Sequence, residues 1–277
     1  MASSTSTTLD DLFANIIAQA RFTAEEQSLM LGLVTQYNIA GQAGKTIQVP
    51  KYPAIAAGDL TEGTDMSSTT VSTSSVAVTV GEVGAQVVLT DLAAMGAGNP
   101  ADELGTVLGN AIATKIDTDL IALFDGFSTS IGAAGQEFTA TDLFKAAATL
   151  RANKVTGVIN AVVHPFQAYN MKASLTNTFA NPNGGDLQNE AMRNGYVGTI
   201  AGINVYESAN VSVDGDGDAK AAVFAPEALA IALKSDFNLE VQRDASLRAN
   251  ELNATAIYGV AELDDDFGVE LYKDATI

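Results

Sequence analysis

The longest periodic pattern of apolar and polar residues runs from Gly98 to Phe127. Its apolar positions recur at spacings of three and four, the period of an amphipathic helix: Leu104, Val107, Leu108, Ala111, Ile112, Ile116, Leu120, Leu123 and Phe124. Asn99 is a preferred N-cap, Pro100 stands where a missing N–H costs nothing, and Gly126 marks a stop. The pattern predicts a helix about 40 Å long, whose apolar face must be covered by an extended partner.

Gly105 and Gly109 lie four residues apart and therefore share one face of this helix. A glycine in a helix interior costs about 1 kcal/mol relative to alanine, because its backbone loses more freedom on folding. We interpret the pair as a place where another stretch of backbone passes close to the helix.

Two shorter helices are predicted before position 41. Residues 1–8 are rich in serine and threonine, and an amphipathic pattern follows from Leu12 to Ala20 with Thr8 as its candidate N-cap. Thr23 and Glu26 then have the spacing of a capping box. The second helix is expected to present an apolar face made of Leu29, Met30, Leu33, Val34 and Tyr37. The sequence thus predicts an N-terminal arm of two helical pieces.

Between Lys45 and Leu92 the apolar period changes to two, which is typical of strands. The alternating positions are Ile47 and Val49, then Val76, Val78 and Val80, then the run from Val87 to Leu89. Residues 58–75 are polar, contain glycine and offer almost no side chains for a core. This pattern predicts a long hairpin whose tip stands off the body and rests on a partner.

The remainder of the chain alternates between helical and strand patterns and predicts a body of mixed α and β structure. Helices are expected from Thr139 to Leu150, from Pro165 to Leu175 and from Leu187 to Arg193. Strands are expected at 158–163, in two pieces of 196–208 hinged at Gly198 and Gly202, and at 221–224, 239–241, 254–261 and 269–272. The last two strands are joined through the acidic turn Asp264, Asp265 and Asp266.

Composition narrows the chemistry open to the chain. Its 277 residues are 47% hydrophobic, enough for one large or two modest domains. Cysteine is absent and there is one histidine, which excludes thiol catalysis and disulfides and argues against zinc sites. The formal net charge of -19 argues against a nucleic-acid-binding surface, because such surfaces need clustered lysine and arginine. Neither a signal-peptide pattern nor a long apolar run is present, so neither export nor membrane insertion is predicted.

Two motifs suggest ligand binding and are rejected on their context. Residues 41–46, GQAGKT, resemble a phosphate-binding loop, but the first required glycine is replaced by Ile39 and a strand pattern follows. Asp214, Asp216 and Asp218 have the spacing that opens a calcium loop, but the later glycine and glutamate are missing. A solvated acidic turn is favoured there, with weak cation binding as the alternative.

His164 is the single histidine and stands directly before Pro165. A lone histidine can act as a base, but no activated nucleophile stands beside it in the sequence, which favours a capping or packing role. The sequence therefore predicts no catalytic residue, no cofactor and no complete metal site.

Several segments keep a particular order along most of the chain: a Ser/Thr-rich start with an arm, KTIQVPKYPAIAAGDLTEGTDMSSTTVSTSSVAVTV, VVLTDLAAM, AIATKIDTDLIALF, AVVHP and GTIAGINVYES. In this order they resemble the major capsid proteins of tailed bacteriophages with the HK97 fold, especially the N4-like and P22-like coat proteins. Each pattern is loose, and the resemblance rests on their order and spacing together.

The resemblance implies an α+β fold of the HK97 type with four parts. Residues 1–44 correspond to an N-terminal arm and residues 45–92 to an extended β-hairpin loop, the E-loop, that lies on a neighbouring subunit. Residues 93–130 and 237–277 correspond to a peripheral domain with the long helix as its spine. Residues 131–236 correspond to an axial domain of mixed α/β structure.

The resemblance also implies a structural protein rather than an enzyme. The chain is expected to assemble with itself into hexamers and pentamers of an icosahedral virion shell around double-stranded DNA, without sequence-specific binding and without a membrane. Portal, scaffolding and decoration proteins are the implied further partners, and the host cytoplasm is the implied place of assembly. The candidate contacts between subunits are Lys51, Asp59, Glu62, Asp65, Gly105 and Gly109.

Some members of this family cross-link a loop lysine to a neighbour's asparagine with the help of a glutamate. Lys45 and Lys51 are the loop lysines of this chain, but nothing in the sequence places an asparagine and a glutamate beside them. Two alternatives to a phage capsid stay open at this point: the shell of an encapsulin-like nanocompartment, and a surface or adhesin-like structural protein.

Overall fold

The computed structural model describes residues 28–53, 55–63, 65, 68, 70–92, 101–178 and 196–276. The helices predicted at 12–20 and 187–193, and the start of the one predicted from 24, lie outside these residues. Within them are three α-helices: α1 (Ala101–Ile121), α2 (Ala140–Ala152) and α3 (Pro165–Thr178). Short 3-10 helices occur at Met30–Gly32, Ala122–Gly126, Pro226–Ala228 and Asp265–Phe267.

Twelve strands make up most of the rest of the described chain. They are β1 (Thr35–Asn38), β2 (Thr46–Lys51), β3 (Ser74–Thr79), β4 (Gly81–Thr90), β5 (Ser130–Gly132), β6 (Ile159–Val163), β7 (Tyr196–Ile200), β8 (Ile203–Glu207), β9 (Asp218–Phe224), β10 (Leu229–Asp244), β11 (Ala249–Glu262) and β12 (Gly268–Asp274). In spatial order they form a sheet β1-β10-β11-β4, a sheet β5-β12-β9-β6-β8-β7 and the separate hairpin β2-β3.

Helix α1 lies along the four-stranded sheet and contacts β4, β10 and β11. Most of the stripe predicted from the sequence is buried, since Leu108, Ile112, Ile116 and Leu120 belong to the core shared with these strands. Val107, 56% exposed, and Ala111 were wrongly placed on it and face away from the core. The last turn tightens into the 3-10 helix that ends at Gly126, as the sequence predicted. The predicted caps Asn99 and Pro100 lie outside the described residues. The long helix and its extended cover are thus confirmed.

The six-stranded sheet carries α2 and α3 and has its own core of aliphatic side chains. Helix α2 begins at the position that the sequence predicted, with a capping box in which Thr139 and Asp142 satisfy each other's backbone amides. Helix α3 is anchored by Gln167, whose buried amide group donates to the carbonyl oxygens of Ala219 and Lys273 at 2.9 and 3.0 Å. Helix α3 is therefore fixed to the sheet by polar contacts as well as by packing.

The prediction of a helix from 24 to 41 is wrong over its described part. The chain makes only a 3-10 turn at Met30–Gly32 and then enters β1, which pairs in parallel with β10 from Thr35↔Ala230 to Asn38↔Leu233. The apolar spacing that suggested a helix places Met30, Leu33 and Val34 in the core without helical geometry. Pairing with a strand nearly two hundred residues away decides the local conformation here.

The strand predicted at 239–241 is only the later part of the much longer β10. No strand was predicted for the apolar first half of β10. The strands on either side of the acidic turn do not pair with each other, because β11 pairs with β10 and β4 while β12 pairs with β9 and β5. The turn therefore passes between the two large sheets. The domain boundaries stay a prediction, and the one between residues 236 and 237 falls inside β10.

A buried ion pair joins the end of the chain to the start of α2. The Nζ of Lys273 lies 3.4 Å from Asp142 Oδ2, with the two side chains only 7% and 4% exposed, and also donates to Gln136 Oε1 at 3.1 Å. Burial raises the pKa of the Asp142 carboxyl, but hydrogen bonds from Thr139 and the charge of Lys273 outweigh it and hold the pKa below its usual range.

We expect Lys273→Met to lower the free energy of unfolding by about 3 kcal/mol, because it leaves a buried carboxylate without its buried cation. The control is Lys145→Met, which removes a 61% exposed lysine from the same carboxylate and is expected to cost less than about 1 kcal/mol. Denaturant unfolding measures both. Equal losses in the two variants would contradict the role of burial.

The Lys273–Asp142 ion pair also predicts how the free energy of unfolding changes at acidic pH. The lowered Asp142 pKa contributes stability above the carboxyl's unfolded pKa of about 3.9, and this contribution is lost as the pH falls through the folded value. The free energy of unfolding of Lys273→Met is therefore expected to approach that of the wild type below about pH 4. A difference in the free energy of unfolding that does not shrink at all as the pH falls below about 4 would contradict the role of the Asp142 charge.

Candidate assembly surface

Strands β2 and β3 form the hairpin that the alternating pattern predicted, but the run from Val87 to Leu89 belongs to β4 in the four-stranded sheet and not to the hairpin. They pair antiparallel from Thr46↔Thr79 to Lys51↔Ser74. Ile47, Val49, Val76 and Val78 alternate inward while their neighbours are exposed. Val78 belongs with Ile39, Val80 and Ala232 to a small core of its own. The hairpin is therefore seated on the edge of the body rather than free in solvent.

Three contacts fix the direction in which the hairpin points. A side chain at Gly259 in β11 would collide with the carbonyl oxygen of Thr79, 2.2 Å from the position of a Cβ, so glycine is needed where the two strands meet. Lys51 forms an ion pair with Asp264 at 2.7 Å, just beyond the end of β11. Lys234 donates to the carbonyl oxygen of Gly44. The hairpin thus runs past the C-terminal end of β11 and leads away from it.

Residues 52–73, which we call the tip, contain no helix or strand at their described positions. Four large apolar side chains are exposed there: Tyr52 (69%), Ile55 (57%), Leu60 (68%) and Val71 (41%). Asp59, Glu62 and Asp65 are exposed as well. No lysine or arginine occurs from residue 52 to residue 114. The tip is therefore an apolar and acidic surface that its own subunit leaves uncovered.

The other contact candidates lie on different elements. Lys51 stands at the foot of the tip and is engaged within its own subunit by Asp264. Gly105 and Gly109 are buried positions of α1. The structure thus leaves Asp59, Glu62 and Asp65 exposed in the tip, whereas the two glycines are buried in α1.

The acidic turn at 214–218 is held by the protein's own donors. Asp214 accepts from the backbone N–H groups of Asp216 and Asp218 and from the Tyr272 hydroxyl, at 3.0, 2.9 and 3.0 Å. The Asp218 side chain accepts from the Gly135 N–H at 2.7 Å. These hydrogen bonds, led by the one from Asp218, hold the pKa of Asp214 below its usual range. Among the described residues no three acidic or histidine side chains are grouped to hold a metal ion.

His164 caps α3, as the sequence predicted. Its Nδ1 accepts the backbone N–H of Phe166 at 3.3 Å, and its ring packs edge-on against that phenylalanine with ring centroids 5.0 Å apart. Burial lowers the pKa of the imidazole, which keeps the ring neutral and able to accept this bond at neutral pH. His164 therefore has a structural role at the start of α3.

The turn between β10 and β11 is an exposed surface that was not predicted from the sequence. Leu247 is 60% exposed there and Arg248 is exposed beside it. The guanidinium of Arg243, at the end of β10, donates hydrogen bonds to both carboxylate oxygens of Asp91 at 2.6 and 2.7 Å. A leucine flanked by polar residues between two strand patterns was the signal that could have found this turn. Across the described ranges, no helix is long and apolar enough to cross a membrane.

Comparison by sequence gives no relatives: no protein-family model matches the chain, and neither does any curated protein. Comparison by structure does. The capsid structure of the cyanophage P-SCSP1u superimposes with a TM-score of 0.71 at 18% identity, covering 90% of this chain and 89% of that one. The chain has the fold of bacteriophage capsid proteins.

Two further structures show how widely this capsid fold is shared. The mature capsid of bacteriophage PhiM1 matches with a TM-score of 0.67 at 15% identity, covering 90% of this chain and 88% of that one. The capsid of the Helicobacter pylori bacteriophage KHP30 matches with a TM-score of 0.66 at 13% identity, covering 87% and 86%. The capsid fold therefore accounts for nearly the whole chain, with its few helices and many strands.

Proposed function

We propose that this chain is the major capsid protein of a tailed bacteriophage and assembles with itself into the icosahedral shell that encloses double-stranded DNA. The observation that carries the proposal is the capsid fold, which spans about nine tenths of the chain in phages whose sequences are under 20% identical to it. The match extends over both large sheets and all three helices rather than over one part of the chain. The HK97 type and its N4-like or P22-like branch are the finer part of the proposal.

In this proposal the chain has four structural parts. Residues 1–44 form the N-terminal arm, and residues 45–92, with the hairpin and its tip, form the E-loop. Residues 93–130 and 237–277 form a peripheral domain with α1 as its spine, and residues 131–236 form the axial domain. Because β10 crosses from one domain into the other, the two are expected to move as one body in each subunit.

The tip supports the proposal because it is built to contact something outside its own subunit. Exposed aliphatic and aromatic side chains gain stability when they leave water, at about 25 cal/mol per Å² of apolar surface. Tyr52, Ile55 and Leu60 each keep more than half of their surface exposed. In a shell, a neighbouring subunit would cover them at every repeat.

The charge of the chain suits a container for DNA. A net charge of -19 repels a polyanion, so the wall can surround packaged DNA without holding it. Hexamers and pentamers are the assemblies we propose, with portal, scaffolding and decoration proteins as partners and the host cytoplasm as the place of assembly. No catalytic step is assigned to the chain.

The purified recombinant protein is expected to form rings or closed polyhedral shells visible by negative-stain electron microscopy. Light scattering measured over a wide range of protein and salt concentrations should detect the same particles in solution. A protein that stays monomeric under all of these conditions, with and without a molecular crowding agent, would contradict the proposal.

A further inference from the structure

A cavity of about 340 Å³ lies between the end of α1 and the segment that leads into β9. One wall is a single face of α1 and of the 3-10 turn that extends it, since Thr118, Ile121 and Asp125 are spaced by three and four residues. This wall is about 12 Å long, at about 1.5 Å per residue in the α-helix and about 2.0 Å in the 3-10 turn. The opposite wall carries Asn210, Asp214, Asp218 and Lys220. The cavity is therefore elongated, and its volume is that of a site for a small molecule.

The two ends of the cavity differ in charge. At one end, the Asn210 amide lies 3.5 Å from the carboxylate of the residue before Thr118, so these two neutral side chains are neighbours. The Thr118 hydroxyl donates to the carbonyl of Thr114 at 2.7 Å, which leaves its lone pairs free to accept. At the other end, Lys220 donates to Asp125 from the opposite wall. The cavity thus offers neutral acceptors at one end and ionised groups at the other.

Negative charge exceeds positive charge at the ionised end. Three carboxylates line it, those of Asp125, Asp214 and Asp218, together with one lysine. Asp214 and Asp218 accept backbone N–H groups, whereas the Asp125 side chain is 64% exposed and is the carboxylate most open to a ligand. Within the described ranges these carboxylates are not grouped as metal ligands. The charge therefore favours an organic cation.

A buried carboxylate oxygen behind Lys220 points to a ligand that is bound in the cavity. The Glu270 side chain is only 9% exposed, and its Oε1 makes no hydrogen bond to any described residue. The Nζ of Lys220 lies 3.6 Å away, beyond hydrogen-bond distance, because the ammonium group is engaged by Asp125. A cation that took over Asp125 would free Lys220 to turn to Glu270. Binding would then remove the cost of a buried acceptor without a donor.

We infer that this cavity binds a linear aliphatic polyamine. One ammonium group replaces Lys220 at Asp125, the methylene chain lies along Ile121, and a second ammonium group donates to the Thr118 hydroxyl at the far end. Lys220 then donates to Glu270. A compact ion cannot reach both ends of a cavity of this length. The site belongs to a single subunit, so the inference goes beyond the proposed function and does not depend on it.

Isothermal titration calorimetry of the whole chain with spermidine tests the inference, at about 0.15 M salt to screen exposed charges. We expect saturable one-to-one binding to the wild type. Asp125→Asn should weaken it at least fivefold. Glu270→Gln should weaken it at least threefold, because Lys220 then gains less by leaving Asp125. Glu82→Gln is the matched control, since it neutralises an exposed carboxylate of β4 that does not line the cavity, and it should bind spermidine like the wild type.

Two further probes separate a polyamine from other cations. Magnesium chloride at the same ionic strength, and Nα-acetyl-lysine amide with its single side-chain ammonium group, should each bind at least tenfold more weakly than spermidine. If either binds as tightly, the cavity takes a divalent ion or a lysine side chain of a protein, and the inference is overturned.

The inference is equally overturned if the wild type does not bind spermidine, or if Asp125→Asn or Glu270→Gln binds it as tightly as the wild type. Melting temperatures show whether each variant folds. Asp125 is a surface residue, so Asp125→Asn decides the question even if Glu270→Gln does not fold. None of these outcomes changes the assembly of the wild type, by which the proposed function is tested.

Discussion

Replacing residues 52–73 by Asn-Gly is expected to abolish assembly and to leave the subunit folded. Lys51 and Ser74 face each other across the hairpin, so a two-residue turn joins them without changing the register. The removed residues contribute no strand, helix or buried side chain among their described positions. The melting temperature should therefore stay the same or rise slightly, because closing a shorter loop costs less entropy.

Assembly should fail because the removed contacts repeat around every ring. A loss of about 1–2 kcal/mol per contact, multiplied over six subunits, is enough to favour free subunits over shells. Size-exclusion chromatography and electron microscopy would show subunits only. The matched control keeps the length of the tip but replaces it with glycine and serine, which separates tip contacts from loop length. Normal shells from either variant would show that the tip does not make an essential contact between subunits.

Asp117→Ala is expected to lower the free energy of unfolding by about 3 kcal/mol or more, at least as much as Lys273→Met. The carboxylate is only 1% exposed. It accepts from the Ser28 hydroxyl at 2.7 Å and from the backbone N–H groups of Leu29 and Met30, both at 3.1 Å. Removing it leaves these donors without a partner where water is excluded.

The effect should spread along the chain, because Asp117 is what attaches the segment leading into β1 to the middle of α1. Hydrogen exchange at Met30 and along Thr35–Asn38 is expected to accelerate together with the loss of stability. Asp117→Asn keeps the shape but offers one acceptor oxygen, so about half of the loss is expected. If Asp117→Ala unfolds at the same denaturant concentration as the wild type, and hydrogen exchange at the Met30 amide is unchanged, this role of Asp117 is contradicted.

Local signals in the sequence determined the helices and the hairpin. The apolar period of three and four from Leu104 to Phe124, the Thr139 capping box and the His164 cap all act within a few residues of themselves. The two-residue period of β2 and β3 likewise predicts two strands of a hairpin. The helix and its caps could be predicted because the interactions that stabilise them join near neighbours in sequence, and the strands of the hairpin because alternation is itself a local pattern.

Asp117 shows how a long-range contact hides in a local pattern. It stands four residues after Ala113 and four before Ile121, both buried, and therefore lies on the buried stripe of α1. A carboxylate at such a position signals a buried partner, but the sequence does not say which one. The partner, residues 28–30, is close to ninety positions away and can be identified only from the fold.

Some features of the candidate assembly surface are likewise visible in the sequence, and others only in the fold. The sequence alone determined that residues 58–75 are polar, acidic and unable to form a core, and hence that they serve a surface. Only the tertiary structure decided that β1 is a strand, that β10 is long, and that the hairpin leads away past the C-terminal end of β11. Strand pairing and the direction of a hairpin depend on hydrogen bonds and close contacts between residues far apart in the chain, such as Thr79 with Gly259, and no local period encodes them.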